Sequence, residues 1–328
     1  MAKKNAGIIG IGAYLPDKIL TNADLEKIVD TSDEWIVSRS GIRKRHVANA
    51  NEATSDLAAH AASKAIQDAQ LSPRDIDMII IATITPDMMM PSTATRVQGK
   101  IKATNACAFD IGAACSGFVY GLTIAKNFIL NGTMRNVVVI GAEILTKYVD
   151  WNDRTTCVLF GDGAGAVVVS TVNAGRGLLG FHLGADGNTP MKWLMLPGSG
   201  SFNGSVPVSE DRKDFITMDG KAIFKFGVSI LPNIINKALI QSHLTINDIK
   251  LIVPHQANIR IIEAAAKRLG VGMDKFYVNL DQRANTSAAS IPIAMFDARN
   301  EGKLQNGDAI VLGGFGGGLT WASIALVL

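Results

Sequence analysis

Leu71-Ser72-Pro73-Arg74-Asp75-Ile76-Asp77-Met78-Ile79-Ile80 returns later in the chain as Leu244-Thr245-Ile246-Asn247-Asp248-Ile249-Lys250-Leu251-Ile252-Val253. In each copy a Ser or Thr stands three residues before an Asp, and a wholly apolar run follows. That pattern reads as a capped turn feeding a buried strand. Segments of helical pattern precede both copies, residues 55–70 and residues 228–242. Gly7-Ile8-Ile9-Gly10 is likewise echoed by Gly177-Leu178-Leu179-Gly180. The run from Cys115 to Val137 matches the length of that from Ser287 to Ala309, each holding a helix, a glycine turn (Asn131-Gly132, Glu301-Gly302) and a strand. Three echoes in one order, about 172 residues apart, describe one plan used twice.

The strand-like runs are apolar throughout and do not alternate, which predicts mostly parallel sheets buried on both faces. The expected architecture is α/β, with residues 1–172 and 173–328 as two halves stacked in five α/β/α/β/α layers. Ser116, Gly117, Gly121 and Ala125 place small residues near one face of a helix, as a helix pressed between two sheets requires.

Composition narrows the class further. At 328 residues, 48% apolar and 19% charged, the chain can bury a large core. A formal charge of +3 and 6% aromatic residues give no case for a nucleic-acid partner. Three cysteines (Cys107, Cys115, Cys157) fit a reducing, cytoplasmic setting without a disulfide framework. Neither C-x-x-C nor H-E-x-x-H occurs, so no metal is expected. Apolar runs such as residues 78–84 are strand-length and too short to span a bilayer, so no membrane partner is expected. The apolar stretch at residues 6–12 is short and broken by glycine, which suits a first buried strand better than a signal segment.

Within this frame four motifs carry chemistry. Ala114-Cys115-Ser116-Gly117 lies between a strand-like segment (residues 108–111) and the apolar helix of residues 118–130. A helix N-terminus behind a thiol lowers its pKa and favours the nucleophilic thiolate. Taken alone, a cysteine in an apolar sequence such as Cys115 is more often a small buried hydrophobe. By the repeat, His255 falls at the carboxyl end of a buried strand, where ligand sites gather in α/β sheets. His255-Gln256-Ala257-Asn258 then opens a helix running to Arg268 and stopped by Gly270; the alternative is a plain polar cap. Asn285-Thr286-Ser287 opens the second copy of the Cys115 helix, so a pseudo-twofold would bring Asn285 towards Cys115; Asn is also an ordinary N-cap. Gly313-Gly314-Phe315-Gly316-Gly317-Gly318 permits close backbone approach, as an oxyanion-binding loop or a flexible turn.

Together Ala114-Cys115-Ser116-Gly117, His255-Gln256-Ala257-Asn258, Asn285-Thr286-Ser287-Ala288-Ala289 and Phe315-Gly316-Gly317-Gly318 resemble β-ketoacyl-acyl-carrier-protein synthase III, the initiating condensing enzyme of type II fatty-acid synthesis, which has the thiolase fold. The resemblance runs from Gly10-Ile11-Gly12-Ala13-Tyr14-Leu15-Pro16 to Gly318-Leu319-Thr320-Trp321. It implies that Cys115 takes the acyl group of a short acyl-CoA primer, with acetyl-CoA the expected one. It implies that His255 and Asn285 stabilise the enolate formed as malonyl-carrier protein loses carbon dioxide, and that the amides of Cys115 and Gly317 hold the oxyanion. It implies no cofactor beyond the CoA thioester, and a homodimer.

The same resemblance implies CoA or substrate contacts at Trp35, Arg39, Arg154, Asn258 and Phe315. Thr31-Ser32-Asp33-Glu34 starts a helix that Gly41 stops, so Trp35 and Arg39 share a face. That pair suits an adenine-phosphate clamp, and it also suits ordinary surface packing. Arg260, Lys267 and Arg268 form a basic face fit for an acidic carrier protein, or simply a solvated one, and Lys225 matches another carrier contact. Met88-Met89-Met90 stands where the family usually has an aromatic, which fits either a roomier acyl pocket or packing at a subunit interface. Gly161-Asp162-Gly163-Ala164-Gly165-Ala166 is followed by an apolar strand, not a helix, so close backbone packing is expected there and not a dinucleotide. Two other functions stay open: a specialised synthase pairing acyl-CoA with another nucleophile, and a non-catalytic partner subunit. A degradative thiolase fits less well, because it needs a second cysteine near the C-terminus and the last here is Cys157.

Overall fold

The computed structural model describes residues 4–197 and 215–328. A five-stranded sheet holds β1 (Lys4–Tyr14), β2 (Met78–Ala82), β3 (Cys107–Ile111), β4 (Asn136–Ile144) and β5 (Asp162–Asn173), in the order β1-β5-β4-β2-β3. A four-stranded sheet holds β6 (Gly177–Ala185), β7 (Leu251–Pro254), β8 (Ala309–Gly316) and β9 (Thr320–Val327), in the order β7-β8-β9-β6. The principal helices are α1 (Asp33–Ser40), α2 (Thr54–Asp68), α3 (Thr93–Ile101), α4 (Gly117–Leu130), α5 (Gly220–Ser242), α6 (Ile259–Leu269) and α7 (Ser290–Asn300).

Five layers result. Helices α2 and α3 cover the outer face of the first sheet, while α4 and α7 fill the space between the sheets and touch both. The paired α5 and α6 cover the second sheet from outside. The repeated turns are built alike: Asp75 accepts from the Ser72 N–H at 2.7 Å, and Asp248 accepts from the Thr245 N–H at 2.7 Å. Small residues let α4 sit this close. A Cβ added to Gly121 would lie 2.7 Å from Val139 Cγ1, and one on Gly117 would lie 2.9 Å from Ala82 Cβ.

Two expectations change. The sheets are mixed, not mostly parallel: β2 runs parallel to β3 and β4, and β7 to β8, but β1–β5, β4–β5, β8–β9 and β9–β6 are antiparallel. Only Gly317, Gly318 and Leu319 separate β8 from β9, and so short a link can join only antiparallel neighbours. Also, α5 begins at Gly220, well before residue 228, because Asp219 caps it by accepting from the Lys221 and Ala222 N–H groups. By length and composition α5 would pass for a membrane-crossing helix, yet it packs on β6, β8, β9 and α6.

The Gly161–Gly165 segment is a place of close packing. A Cβ on Gly165 would stand 2.7 Å from both Pro292 Cβ and the Ile293 backbone nitrogen, where neither α7 nor β5 can give way. Gly165→Ala is therefore expected to cost about 1–3 kcal/mol, the usual penalty for overpacking. A thermal melt reads this directly, and an unchanged midpoint would contradict the packing described.

Candidate active site

Both copies of the strand-to-helix junction pass through a tight 3-10 turn, Ala114–Ser116 before α4 and Ser287–Ala289 before α7. Each turn opens on a non-glycine residue in the left-handed region, Ala114 at φ 44° and Ser287 at φ 48°. That conformation costs roughly 1–3 kcal/mol and persists only where surroundings impose it. Matching the two turns makes Ala288, not Ser287, the counterpart of Cys115. Ser287 instead reaches across the pseudo-twofold, and the Cys115 thiol donates to Ser287 Oγ at 3.4 Å.

Cys115 is buried, and burial pushes its thiol up to about 12, with the buried Glu143 adding to the shift and Ser287 opposing it. This corrects the expected low-pKa thiol: desolvation outweighs what the turn supplies. In this form Cys115 holds its proton, which must leave during any acyl transfer.

His255 follows β7 directly, its N–H donating to Gly313 O at 2.7 Å. Its Nδ1 lies 2.7 Å from Ser290 Oγ, and its ring meets Phe315 edge-on at 5.8 Å. Complete burial lowers its pKa to about 3, so the imidazole is neutral at pH 7. Gln256 secures the segment from behind by donating to Pro254 O and Tyr277 O. Asn285 Oδ1 accepts from the Ser287 N–H at 2.9 Å, which leaves its Nδ2 as the group to offer a ligand.

Cys115, His255, Asn285 and Phe315 line one cavity of about 620 Å³, within the range of small-molecule sites. Gly316 lines it as well: a Cβ there would fall 2.7 Å from the Cys115 backbone nitrogen and 3.1 Å from its Cβ. The neighbouring Gly317 is not among the lining residues, and its carbonyl accepts from Thr320 Oγ1 at 3.2 Å. Trp35, Arg39, Asn258 and Arg260 line the same cavity towards its exposed end. The Arg39 and Arg154 guanidinium groups lie over the Trp35 ring at 5.8 and 5.2 Å. Asn258 caps α6 through Arg260 N–H and donates to Arg39 O at 2.8 Å, tying α6 to α1.

Lys225, Lys267 and Arg268 are exposed on α5 and α6 and do not line the cavity, although Arg260, stacked over Phe224 at 5.2 Å, does. Arg268 donates to Val228 O at 2.9 Å, a contact that bridges the two helices. Among the described residues, no group of three or more His, Cys, Asp or Glu is placed to hold a metal ion. The sequence gives no sign of Ser290 or Glu143 as site residues, and it marks Ser287 and Gly316 only as members of their motifs. Glu143 is wholly buried on β4, where it accepts from Thr85 Oγ1 at 2.6 Å and Thr83 Oγ1 at 3.1 Å.

A duplicated five-layer body with a thiol at the buried end of a cavity is the architecture of the thiolase-fold condensing enzymes, which transfer acyl groups. Family descriptions named 3-Oxoacyl-[acyl-carrier-protein (ACP)] synthase III, and the C-terminal part of the same, match residues 109–187 and 239–328. A protein of Caldanaerobacter subterraneus subsp. tengcongensis named beta-ketoacyl-[acyl-carrier-protein] synthase III is 54% identical, covering 97% of this chain and 96% of its own. One of that name from Clostridioides difficile is also 54% identical, covering 97% of each. The crystal structure of 3-oxoacyl-[acyl-carrier-protein] synthase III from Aquifex aeolicus VF5 superposes with a TM-score of 0.92 at 46% identity, covering 98% of this chain and 100% of that one. The chain belongs to the β-ketoacyl-acyl-carrier-protein synthase III family.

Proposed function

We propose that this protein condenses a short acyl-CoA, with acetyl-CoA as the first candidate, with malonyl-acyl-carrier protein to give a 3-oxoacyl-carrier protein. The observation that carries this reading is the meeting of Cys115, His255 and Asn285 in one buried-ended cavity. Cys115 attacks the acyl-CoA thioester, forming an acyl-S bond as CoA leaves. Malonyl-carrier protein then loses carbon dioxide, and the resulting enolate accepts hydrogen bonds from neutral His255 and Asn285 Nδ2. Its carbon attacks the acyl-Cys115 carbonyl, and the C–S bond to Cys115 breaks. The Cys115 amide and the adjoining loop amide of Gly317 hold the oxyanion, and the close approach of Gly316 to Cys115 supports that loop's part. The scheme needs no cofactor besides the CoA thioester.

Trp35, with the Arg39 and Arg154 guanidinium groups over its ring, suits an adenine nucleotide, the two cations facing its phosphates, Arg154 on exchanging its contact with Asp30. Lys225, Arg260, Lys267 and Arg268 give the carrier protein a basic landing face. The halves 1–172 and 173–328 act as two units of one duplication, the first bringing the nucleophile and the second His255 and Asn285. A homodimer in the cytoplasm is the proposed working form: β3 is a half-exposed edge strand, and Met89 and Met90 are 73% and 85% exposed. Incubation with acyl-CoAs of increasing length, followed by intact mass and peptide mapping, tests the reading. An acyl adduct on Cys115 is expected, with the preferred length identifying the primer. No adduct with any of them would contradict it, and adduct formation without use of malonyl-carrier protein would favour a specialised synthase.

A further inference from the structure

Between the short helical turn Leu280–Arg283 and Asn285 stands Ala284, whose backbone lies at φ 57° and ψ −164°. That corner of conformational space is open to glycine, and another residue keeps it only where its surroundings impose it. Part of the restraint is in the backbone. The Ala284 N–H donates to Leu280 O at 2.8 Å, the Asn285 N–H donates to Leu159 O at 3.0 Å, and Asn285 O accepts from the Gly161 N–H at 3.1 Å. The rest comes from Arg283. Its Nε donates to Asp297 Oδ2 on α7 at 2.9 Å, and its Nη1 donates to His46 Nε2 at 3.0 Å. We propose that Arg283 is a positioning residue for Asn285: clamped by Asp297 and His46, it holds Ala284 in a conformation that alanine disfavours and so keeps the Asn285 amide aimed into the cavity.

The inference rests on the part proposed for Asn285 in holding the enolate. Both anchors of Arg283 are themselves fixed. Asp297 is buried, and the same Oδ2 accepts from Asn279 Nδ2 at 2.9 Å. Asn279 in turn donates its N–H to Gln256 Oε1 at 3.1 Å, next to His255. Helix α7 also carries Ser290, the partner of His255 Nδ1. One helix therefore sets both donors of the proposed enolate site, His255 through Ser290 and Asn285 through Arg283. His46 is buried too, with its Nδ1 2.7 Å from Pro16 O. A guanidinium only donates, so His46 Nε2 accepts, Nδ1 carries the proton, and the ring is neutral. Burial lowers the His46 pKa and the Arg283 charge adds to the shift, which keeps the ring in that form.

As an ion pair alone, Arg283 with Asp297 would matter little to the reaction. The Arg283 side chain is 27% exposed, and water screens such a pair. Its place in the chain is what gives it a role, directly before the strained Ala284 and two residues before Asn285. Misplacing a catalytic group by about 1 Å can cost about 10²-fold in rate. Cys115 is set by a different turn, where Ser116 Oγ donates to Ala113 O at 2.7 Å, so acyl transfer should feel the loss of Arg283 far less.

The test is the rate of carbon dioxide release from malonyl-carrier protein, counted per site that acetyl-CoA acylates in a parallel sample, so that unfolded protein drops out. Arg283→Met is expected to slow release by about 10–10²-fold while acylation stays within about 3-fold of wild type. Adding Ala284→Gly should recover about 10-fold, a gain the same glycine does not give in wild type, because glycine takes this conformation without strain. Equal loss of both half-reactions in Arg283→Met, or no recovery on adding the glycine, would overturn the proposal. Should Arg283→Met not fold, Asp297→Asn removes the charge facing Arg283 and carries the same two measurements, with and without Ala284→Gly. Asn285→Ala is the control: release at the wild-type rate there would instead sink the enolate role given to Asn285.

Discussion

Cys115→Ala is expected to lower condensation by at least about 10⁴-fold and to leave no acyl adduct in the cavity. The size of the effect follows from the lack of a substitute. Cys107 is exposed on the edge strand β3, and Cys157 is buried in a cluster with Leu145 and Phe160 and does not line the cavity. Ser287 lies 3.4 Å from the missing sulfur, but a serine hydroxyl is a far weaker nucleophile without a base poised to deprotonate it. The fold should survive, since one small side chain leaves a turn otherwise set by Ser116, whose hydroxyl donates to Ala113 O at 2.7 Å. Chromatographic assay of product, with a melt as control, gives the answer. Retention of more than about one per cent of wild-type condensation in a folded variant would contradict the role given to Cys115.

His255→Ala should divide the two half-reactions. Acyl transfer to Cys115 is expected within about 10-fold of wild type, whereas decarboxylation of malonyl-carrier protein should fall by about 10²–10³-fold, the usual effect of removing one donor to a developing oxyanion. The environment of His255 argues for a hydrogen-bond donor and not an acid: it is 2% exposed, neutral, and oriented by Ser290 and Phe315. The variant leaves Ser290 Oγ without its imidazole partner, so some loss of stability is expected as well. Adduct formation and carbon dioxide release, measured separately, make the split visible. Equal loss in both would mean that His255 serves the nucleophile and not the enolate.

Much of the layering could be read from the chain because the duplication repeats its turn chemistry: Ser72 with Asp75 and Thr245 with Asp248 cap alike. The glycines at 117, 121 and 165 were legible for a related reason, since each stands where neighbouring elements pack so closely that a Cβ has no room. Strand direction was not legible. Apolar runs announce burial without polarity, and only the short Gly317-Gly318-Leu319 link shows that β8 and β9 must be antiparallel. At the site, motif residues stood out, but their environments did not. Cys115 looked like a helix-activated thiolate until burial proved the larger influence. Glu143 lay hidden as one acid in the run Gly141-Ala142-Glu143-Ile144, with partners at Thr83 and Thr85 on another strand's exit. Ser290 gave no signal beyond a small polar residue near a turn, and the glycine-rich loop was legible without showing that Gly316 is its member closest to Cys115.

The most direct measurement is a chase. Enzyme acylated with labelled acyl-CoA and freed of excess substrate is mixed with malonyl-carrier protein, and the label is followed by peptide mapping and product mass. Label leaving Cys115 in step with one carbon dioxide released and one 3-oxoacyl-carrier protein formed per site is the expected result. Label that sits on another residue, or stays on Cys115 while carbon dioxide is released, would contradict acyl-Cys115 as the species that the enolate attacks.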